Sequence, residues 1–449
     1  MRRILLVEPA YRNKYPPLGL MKIATYHKLL GDYVEFVKGL SPEHKKRKWD
    51  RIYVSTLFTF YWKQTVNTIK YYTDSVDTPT NVYVGGVMAT LMEDDLRRET
   101  GVRIFPGLLD KPRMFDKNNN FVVDHMIPDY SILDEIRYEY PASNAYIGYA
   151  TRGCPNRCSF CAVPRIEPKF CGYTPLARQV HGIEESHGTQ RDLLLLDNNV
   201  LASRRFPQIV RDILDLGFHC GARYENKLRS VDFNQGLDAR KLDSRKMKLL
   251  AKLAMRPIRF ALDNSGMAPS YRRAVRLVNE HSNFKIGTYV LFNYRESPRS
   301  LYDRLHLNIK LNQELGVQIT SFPMKYAPLV SRDRSHVGPR WNWRLLRGIQ
   351  CILLATRGQV SPNPEFFYAA FGESYEEFLQ IASMPDHYII HRRKHENNGA
   401  SEWSRLFKRL TDSQRDTLYE TLEQGPVTKG VISKVSGKRL AAILEHYAN

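Results

Sequence analysis

Three cysteines crowd into a short stretch of this sequence, Cys154, Cys158 and Cys161, with the spacing C-x3-C-x2-C. Thiolates are soft, charged ligands that suit iron, and a loop that carries three of them can wrap one corner of a cubane cluster. Three protein ligands leave one iron of a [4Fe–4S] cluster open, and an open metal position is typical of a catalytic site. The alternative is a zinc knuckle, but no fourth Cys or His stands at finger spacing. The pattern therefore predicts one catalytic [4Fe–4S] cluster.

The cysteine loop follows the apolar run Ala145–Ala150, and polar side chains follow three further apolar runs. In barrels of parallel strands, ligands bind at the C-terminal ends of the strands. We therefore expect these polar residues to bind a cofactor, the alternative being buried strands that merely end in polar turns. Together with Phe160 beside the last cysteine, the candidates are Asp197, Asn198, Asn199, Gln235, Asp238, Arg240, Asn293 and Glu296.

The elements that must position these residues divide into three predicted regions of an α/β protein. In residues 1–125, apolar runs such as Ile4–Val7, Ile52–Leu57 and Val82–Val84 alternate with helical patterns such as Leu18–Leu30 and Gln64–Tyr72. This alternation favours a parallel, doubly wound, Rossmann-like sheet.

The second region, residues 140–330, contains six candidate strands with helical segments between them, which suits a partial (β/α)6 TIM-type barrel rather than the full eight units. The third region, residues 331–449, has a largely helical pattern, for example at Ser374–Ile381, Trp403–Leu410 and Ser413–Leu422. The six candidate strands are Ala145–Ala150, Leu193–Asp197, Val231–Asn234, Ile258–Leu262, Lys285–Phe292 and Gln318–Phe322.

The cysteine motif, with aromatic Phe160 directly before its last cysteine, resembles that of the radical S-adenosylmethionine (radical SAM) superfamily. The resemblance implies that the open iron chelates the amino and carboxylate groups of SAM. An electron then cleaves the sulfonium, giving methionine and a 5′-deoxyadenosyl radical that abstracts hydrogen from substrate. The resemblance also implies a reductant of the flavodoxin or ferredoxin type.

By the same resemblance, the polar motifs acquire roles toward SAM. The segment Asp197-Asn198-Asn199 looks like the motif that holds the SAM amino group. The segment from Phe233 to Arg240, with Gln235 and Asp238, looks like the motif near the SAM carboxylate or ribose. The segment from Gly287 to Glu296, with Asn293, resembles the strand beside the adenine. The order and spacing of these motifs behind the cysteines strengthen the likeness.

Residues 1–140 resemble the radical SAM subgroup with an N-terminal cobalamin-binding-type domain, through Pro16–Leu20, Gly85-Gly86 and Ile127–Tyr130. The Asp-x-His-x-x-Gly signature of a cobalt-ligating histidine is absent, since neither His27 nor His44 stands in that context. Some members bind cobalamin without a protein ligand, so cobalamin binding stays open. The alternative is a Rossmann-like domain that shapes the substrate entrance.

The chain has 67 Lys and Arg against 47 acidic residues, a formal net charge of +20. Such a charge favours a polyanionic partner such as nucleic acid. The stretch 331–357 holds six arginines and one acidic residue. Its helical spacing predicts one face for Arg340, Arg344 and Arg347, where Trp341 and Trp343 stack bases. The alternative is an ordinary solvated helix face.

Three functions follow for the whole chain. The first is radical modification of a base or nucleotide in RNA or DNA, and the second is methyl transfer or rearrangement on a small metabolite or peptide. The third is a non-catalytic iron–sulfur module that binds nucleic acid.

Cysteine usage favours a reducing compartment, and no apolar run reaches 18 residues. We therefore expect a cytoplasmic protein with no membrane partner; Cys171, Cys220 and Cys351 read as isolated structural thiols.

Overall fold

The computed structural model describes residues 1–354 and 356–448 and shows an α/β protein with parallel sheets and many helices. The chain separates into two compact units. Unit 1 comprises residues 1–259 and 327–335, and unit 2 comprises residues 260–326 and 336–449. These units cut across the three predicted regions, whose boundaries stay predictions.

The first sheet of unit 1 is entirely parallel, in the order β2-β1-β3-β4-β5 along the sheet. Helices connect the strands because a parallel pair needs a crossover connection. The strands are β1 Arg3–Glu8, β2 Tyr33–Lys38, β3 Arg51–Thr56, β4 Val82–Gly86 and β5 Arg103–Phe105; the helices are α1 Leu18–Leu29, α2 Pro42–Lys46, α3 Trp62–Thr73, α4 Val87–Leu91 and α5 Glu93–Thr100.

The three predicted strands of this region are confirmed, and so are both predicted helices. The centre of the sheet is buried on both faces, so Ile4, Leu5, Leu6 and Val7 are all inaccessible to solvent. A continuous apolar run of this kind is typical of a parallel strand covered by helices on both sides.

A second parallel sheet in unit 1 carries the cysteine loop. Its order is β10-β7-β6, so the ends of all three strands meet at one edge. The strands are β6 Ala145–Gly148, β7 Asp192–Leu195 and β10 Val231–Phe233, with a small hairpin of β8 Arg223–Tyr224 and β9 Lys227–Leu228 before β10; the helices are α6 Val163–Ile166, α7 Leu176–His187, α8 Phe206–Asp215 and α9 Ser244–Leu250.

Residues 327–335 return to unit 1 after the chain has passed through part of unit 2. Arg332 forms an ion pair with Asp95 at 3.2 Å, and its guanidinium lies 4.2 Å from the ring centroid of Trp62. Arg334 stacks on Phe60 at 4.1 Å. Cation–π contacts therefore attach this late segment to the first sheet's connections.

Unit 2 contains a three-stranded sheet, β11-β12-β13, followed by helices. The chain crosses from unit 1 to unit 2 within β11. The strands are β11 Ile258–Ala261, β12 Ile286–Phe292 and β13 Ile319–Lys325; the helices are α10 Ala268–His281, α11 Pro298–Leu315, α12 Trp343–Leu354, α13 Pro364–Phe371, α14 Tyr375–Ser383, α15 Asp386–Ile390, α16 Arg392–His395, α17 Gly399–Lys408, α18 Asp412–Glu423, α19 Lys429–Ile432 and α20 Lys438–Glu445.

All six strands expected between residues 140 and 330 are confirmed within three residues at each end, as is the helical character of the C-terminal region. Local signals set several helix ends. The Ser297 side chain accepts a hydrogen bond at the start of α11, and Gly316 ends that helix in the left-handed conformation. The core of unit 2 includes Trp403, which is fully buried and stacks on Phe407.

Helices α12 and α14 approach each other closely at Gly348. A Cβ atom at this position would lie 1.8 Å from the carbonyl oxygen of Ala382. We expect Gly348→Ala to lower the free energy of unfolding by on the order of 3 kcal/mol, because backbone must move to admit the methyl group. Gly430→Ala in α19 is the matched control, since its Cβ meets nothing closer than 3.8 Å. Urea denaturation that gives equal stability for both variants would contradict this packing.

Candidate functional site

The cysteine loop, residues 151–161, lies at the edge where β6, β7 and β10 end. Asn198 and Asn199 follow β7 at this edge, and Asp238 follows β10. Because the three strands are parallel neighbours, residues far apart in sequence meet here. The structure therefore brings the cysteine loop and the residues after β7 and β10 to one sheet edge, and their binding of a cofactor stays a prediction.

Asp197 fixes the beginning of the cysteine loop. Its Oδ2 accepts a hydrogen bond from the backbone N of Ala150 at 3.1 Å, and its Oδ1 accepts from the backbone N and the Oγ1 of Thr151, both at 2.5 Å. Asp197 is only 1% exposed, and burial raises its pKa to about 6 although these hydrogen bonds act in the opposite direction. Both its oxygens accept hydrogen bonds from the start of the cysteine loop, and its role toward a cofactor stays a prediction.

Glu167 is a second buried carboxylate that holds the loop, and the sequence analysis missed it. Its Oε2 accepts from the backbone N of Gly153 at 2.5 Å, and its Oε1 accepts from Arg152 Nη2 at 2.8 Å. Asn198 Nδ2 donates to the same Oε2 at 3.0 Å. Asn198 therefore helps to hold the loop in place through its hydrogen bond to Glu167. Nothing in the pattern around Glu167 marks it, because its partners come from other segments.

Gly153 is the residue at which this loop turns before its first cysteine. Its φ of +68° lies in the left-handed region, and a Cβ there would lie 2.4 Å from the carbonyl oxygen of Lys169. Only glycine fits this backbone, since it combines an unfavourable φ with a close approach. The glycine therefore sets the position of Cys154 relative to Glu167.

Asn199 and Asp238 are the polar residues that lie next to the cysteines. Asn199 Nδ2 lies 3.6 Å from Cys154 Sγ and 3.3 Å from Asp238 Oδ2. Asn156, within the loop, donates to the same Asp238 oxygen at 3.1 Å. Arg240 Nε donates to Asp238 Oδ1 at 2.8 Å. Burial opposes ionisation, but the hydrogen bonds from Arg240 and Asn156 prevail and hold the pKa of Asp238 below its usual value.

One buried acceptor in this network lacks a protein partner. Asn199 is 2% exposed, and its Oδ1 makes no hydrogen bond within the part of the chain that the structure describes. A buried amide oxygen left unsatisfied costs free energy, so a ligand that donates a proton to it would be favoured. Gln235, in contrast, is exposed in the turn after β10.

The three thiols are all partly exposed along one loop. Within residues 1–354 and 356–448, no three or more His, Cys, Asp and Glu side chains form a metal-ion site. Thiolates that bind different irons of a cubane do not converge on one point. Three accessible thiols on one loop, beside Phe160 and the unsatisfied Asn199 oxygen, are donors of the right chemistry for such a cluster.

Two predicted cofactor residues lie in unit 2, and both are engaged by backbone there. Asn293 has a φ of +65°, is fully buried, donates to the carbonyl oxygens of Tyr326 and His336 at 3.0 Å each, and accepts from Gly338 N at 2.8 Å. Glu296 Oε2 accepts from Ser265 N at 3.1 Å. Asn293 therefore has no free polar group for adenine, which corrects its predicted role.

The predicted nucleic-acid face is wrong at two of its five residues. Trp341 is 8% exposed; its ring packs on Phe292, and its Nε1 donates to the carbonyl oxygen of Glu296 at 2.7 Å. The Arg344 side chain is 5% exposed and pairs with Asp386 at 2.7 Å. Neither side chain is available to stack on a base or bind a phosphate.

The three remaining residues of that face do not share the predicted helical spacing. Helix α12 begins at Trp343, so Arg340 precedes it. Arg347 is on the helix but pairs with Asp386 at 2.7 Å, a carboxylate that it shares with Arg344. Arg340 is exposed, and Trp343 is 47% exposed. Arg340 and Trp343 are therefore the two exposed residues among the five nucleic-acid candidates.

A comparison with models of protein families finds no match for this chain, and neither does a comparison with curated proteins. The part of the chain that the structure describes includes no helix that is both long and apolar enough to cross a bilayer.

Asp197 gives the site a pH dependence that can be measured. Its pKa is about 6 in the folded chain and near 3.8 when unfolded, so the folded state holds this proton more tightly. The stability that this provides is complete below about pH 4 and is lost as the pH rises through about 6. Relative to Asp197→Asn, which has no proton to lose, wild type should lose at most about 3 kcal/mol over that range. Urea denaturation of both proteins at matched pH values measures the difference; a constant difference would contradict a buried, titrating Asp197.

Proposed function

We propose that this chain is a radical SAM enzyme whose [4Fe–4S] cluster is ligated by Cys154, Cys158 and Cys161. The observation that carries the proposal is the position of Asn199 and Asp238, which come from after two other strands and lie beside the cysteine loop. When bound, the cluster supplies the electron that cleaves SAM to methionine and a 5′-deoxyadenosyl radical. A flavodoxin- or ferredoxin-type reductant would provide that electron.

The chain's own residues have two roles in this proposal. Asp197 and Glu167 hold the backbone of the loop, so that the thiols keep their positions. Asn199 Oδ1 is the unsatisfied acceptor for the ammonium group of SAM, and Asp238, which already accepts hydrogen bonds from Asn156, Asn199 and Arg240, places a carboxylate beside it. An ammonium beside a carboxylate forms a charge-assisted hydrogen bond, which is stronger than a neutral one.

The arrangement of strands supports the same proposal. Apart from the short hairpin β8–β9, six strands with intervening helices lie between residues 145 and 325, the number that a partial (β/α)6 TIM-type barrel would contain. The first sheet has the order 2-1-3-4-5, the order of one common doubly wound fold, which supports a Rossmann-like N-terminal domain.

Any cobalamin would be bound without His27 or His44 as its ligand, because both histidines are engaged elsewhere. His27 is fully buried, and its ring nitrogens lie 2.8 Å from Asp32 Oδ2 and 2.9 Å from Tyr53 Oη. Burial lowers the pKa of His27 to about 4. His44 Nε2 lies 3.1 Å from Glu35 Oε2. Neither residue is positioned as a free ligand for cobalt.

For the substrate we propose a base or nucleotide in RNA or DNA, with a cytoplasmic location. The net charge of +20 supports this choice, as do exposed Arg340 and Trp343. A small metabolite or peptide is the alternative substrate, and a non-catalytic nucleic-acid module is the alternative function.

The cluster proposal predicts a sharp difference between two cysteine variants. Cys158→Ala should abolish iron binding and the formation of 5′-deoxyadenosine, because it removes a ligand. Cys220→Ala, at an exposed cysteine outside the loop, should retain both. After anaerobic reconstitution with iron and sulfide, the wild type should hold about four irons per chain.

Iron and sulfide analysis, together with chromatography of SAM-derived products, measures both quantities. If Cys158→Ala still produced 5′-deoxyadenosine at the wild-type rate, the proposed function would be wrong. Full iron loading without any SAM cleavage in the presence of reductant would instead favour the non-catalytic module.

The nucleic-acid proposal predicts opposite behaviour for two neighbouring tryptophans. Trp343→Ala should weaken binding to a single-stranded oligonucleotide by about 1–3 kcal/mol without changing its salt dependence, because stacking releases no counterions. Trp341→Ala should instead lower the free energy of unfolding by about 3–5 kcal/mol, since that ring is buried. Titrations at several salt concentrations measure the first effect, and urea denaturation measures the second. Unchanged affinity of Trp343→Ala would remove this residue from the interface.

A further inference from the structure

Unit 1 contains a cavity of about 860 Å³. Its lining includes neither the cysteines of the loop nor the polar residues at the strand ends. Its walls come from the connections after β4 and β5, from α1, from β6 and from the first turn of α7. The volume falls in the range of ligand pockets, roughly 300–1,000 Å³. The cavity is therefore large enough to enclose most of a small organic molecule.

Four exposed cations line this cavity: Lys111, Arg165, Lys169 and Arg178. Within the described residues, none of the four takes part in an ion pair. Asp110 is the one lining carboxylate not already engaged by a lining cation. A cleft lined by one sign of charge over low-dielectric walls concentrates ions of the opposite sign.

A neutral group of ion pairs forms another part of the cavity wall. Lys22 Nζ lies 3.2 Å from Asp124 Oδ1, and Arg152 bridges Asp124 at 3.0 Å and Glu167 at 2.8 Å. Two cations balance two carboxylates here, so this wall adds no net charge. The positive excess of the cavity thus belongs to the four exposed side chains.

The rest of the lining is largely apolar, with Leu18, Ile127 and Ile147 among its residues. The Tyr149 ring contributes an aromatic surface, and the Arg152 guanidinium stacks on it at 4.0 Å. Apolar walls bury the body of a ligand and a few polar groups fix its orientation. A bare inorganic anion would leave these walls uncovered.

We propose that this cavity is a binding site for a nucleotide-like organic phosphate, with its phosphates at the four cations and its apolar body against the inner walls. The site goes beyond the proposed radical chemistry and does not depend on it. Because Glu167 and Arg152 belong both to the cavity and to the support of the cysteine loop, a bound ligand would lie directly against that support.

Calorimetric titration of the full-length chain in magnesium-free buffer, without SAM or reductant, tests the site. The probes are ATP, adenosine and inorganic tripolyphosphate. ATP should bind, whereas adenosine lacks the charge and tripolyphosphate lacks the apolar body, so each should bind at least about tenfold more weakly. Arg178→Gln and Lys169→Gln should each weaken ATP binding by roughly fivefold, the upper range for an exposed ion pair.

Lys248→Gln and Arg211→Gln are the matched controls. Both residues lie on another basic surface of unit 1, formed by α8 and α9, and both variants should bind ATP as the wild type does. Equal losses in the control variants, or equal affinities for ATP and tripolyphosphate, would mean nonspecific attraction to a basic protein and would overturn the proposal. Failure of ATP to bind at millimolar concentration would also overturn it and would leave the radical SAM proposal untouched.

Discussion

The hydrogen bonds from backbone N–H groups to Asp197 and Glu167 determine where the cysteine loop can lie. Burying two carboxylates is costly unless hydrogen bonds replace the lost water, and Ala150, Thr151 and Gly153 supply those bonds. The compensation at Asp197 is incomplete, as its raised pKa indicates. The loop therefore depends on the strand order that brings Asp197 beside β6. The same order brings Asn199 and Asp238 to the cysteines. One strand order therefore positions both the carboxylates that hold the loop and the polar residues of the candidate site.

The cations of the chain differ in how far neighbouring carboxylates cancel their charge. In unit 2, Asp386 pairs with both Arg344 and Arg347 and so cancels one of their two charges, and Arg344 is buried against it. In unit 1, Asp124 and Glu167 neutralise Lys22 and Arg152. Cations that are already paired in this way attract an external anion weakly, because their field is largely cancelled. The positions of unpaired cations, rather than the total, indicate where a polyanion would bind.

Much of the fold could be predicted from sequence, because long buried strands and amphipathic helices have clear periodicities. The missed strands β2 and β5 lie at the two edges of the first sheet, and β8 and β9 have two residues each. Strands of two or three residues, such as β5, β8 and β9, contain too few residues to show a pattern, whereas β2 was missed although it has six residues. The sheet edge with its cysteines was predictable because parallel strands bring their ends together.

The roles of single polar residues at that edge were not predictable. A sequence does not tell whether a carboxylate after a strand faces a ligand or the backbone of a neighbouring loop, and Asp197 faces backbone. Glu167 lacked any signal, since its partners lie in the loop before it and after β7. Trp341 and Arg344 were assigned to a surface because their neutralising and covering partners, Asp386 and Phe292, are more than 40 residues away in sequence.

The late return of residues 327–335 to unit 1 has a consequence for how the chain acquires its structure during translation. A ribosome delivers the polypeptide from its N-terminus at about 5–20 residues per second. Unit 1 cannot be completed when Arg259 emerges, because Arg332 and Arg334 still have to reach Trp62 and Phe60. The exposed aromatic rings of the nascent first sheet must wait through the synthesis of β12, α11 and β13. Cotranslational folding of this protein is therefore interleaved, because residues 260–326 of unit 2 are made before the last segment of unit 1.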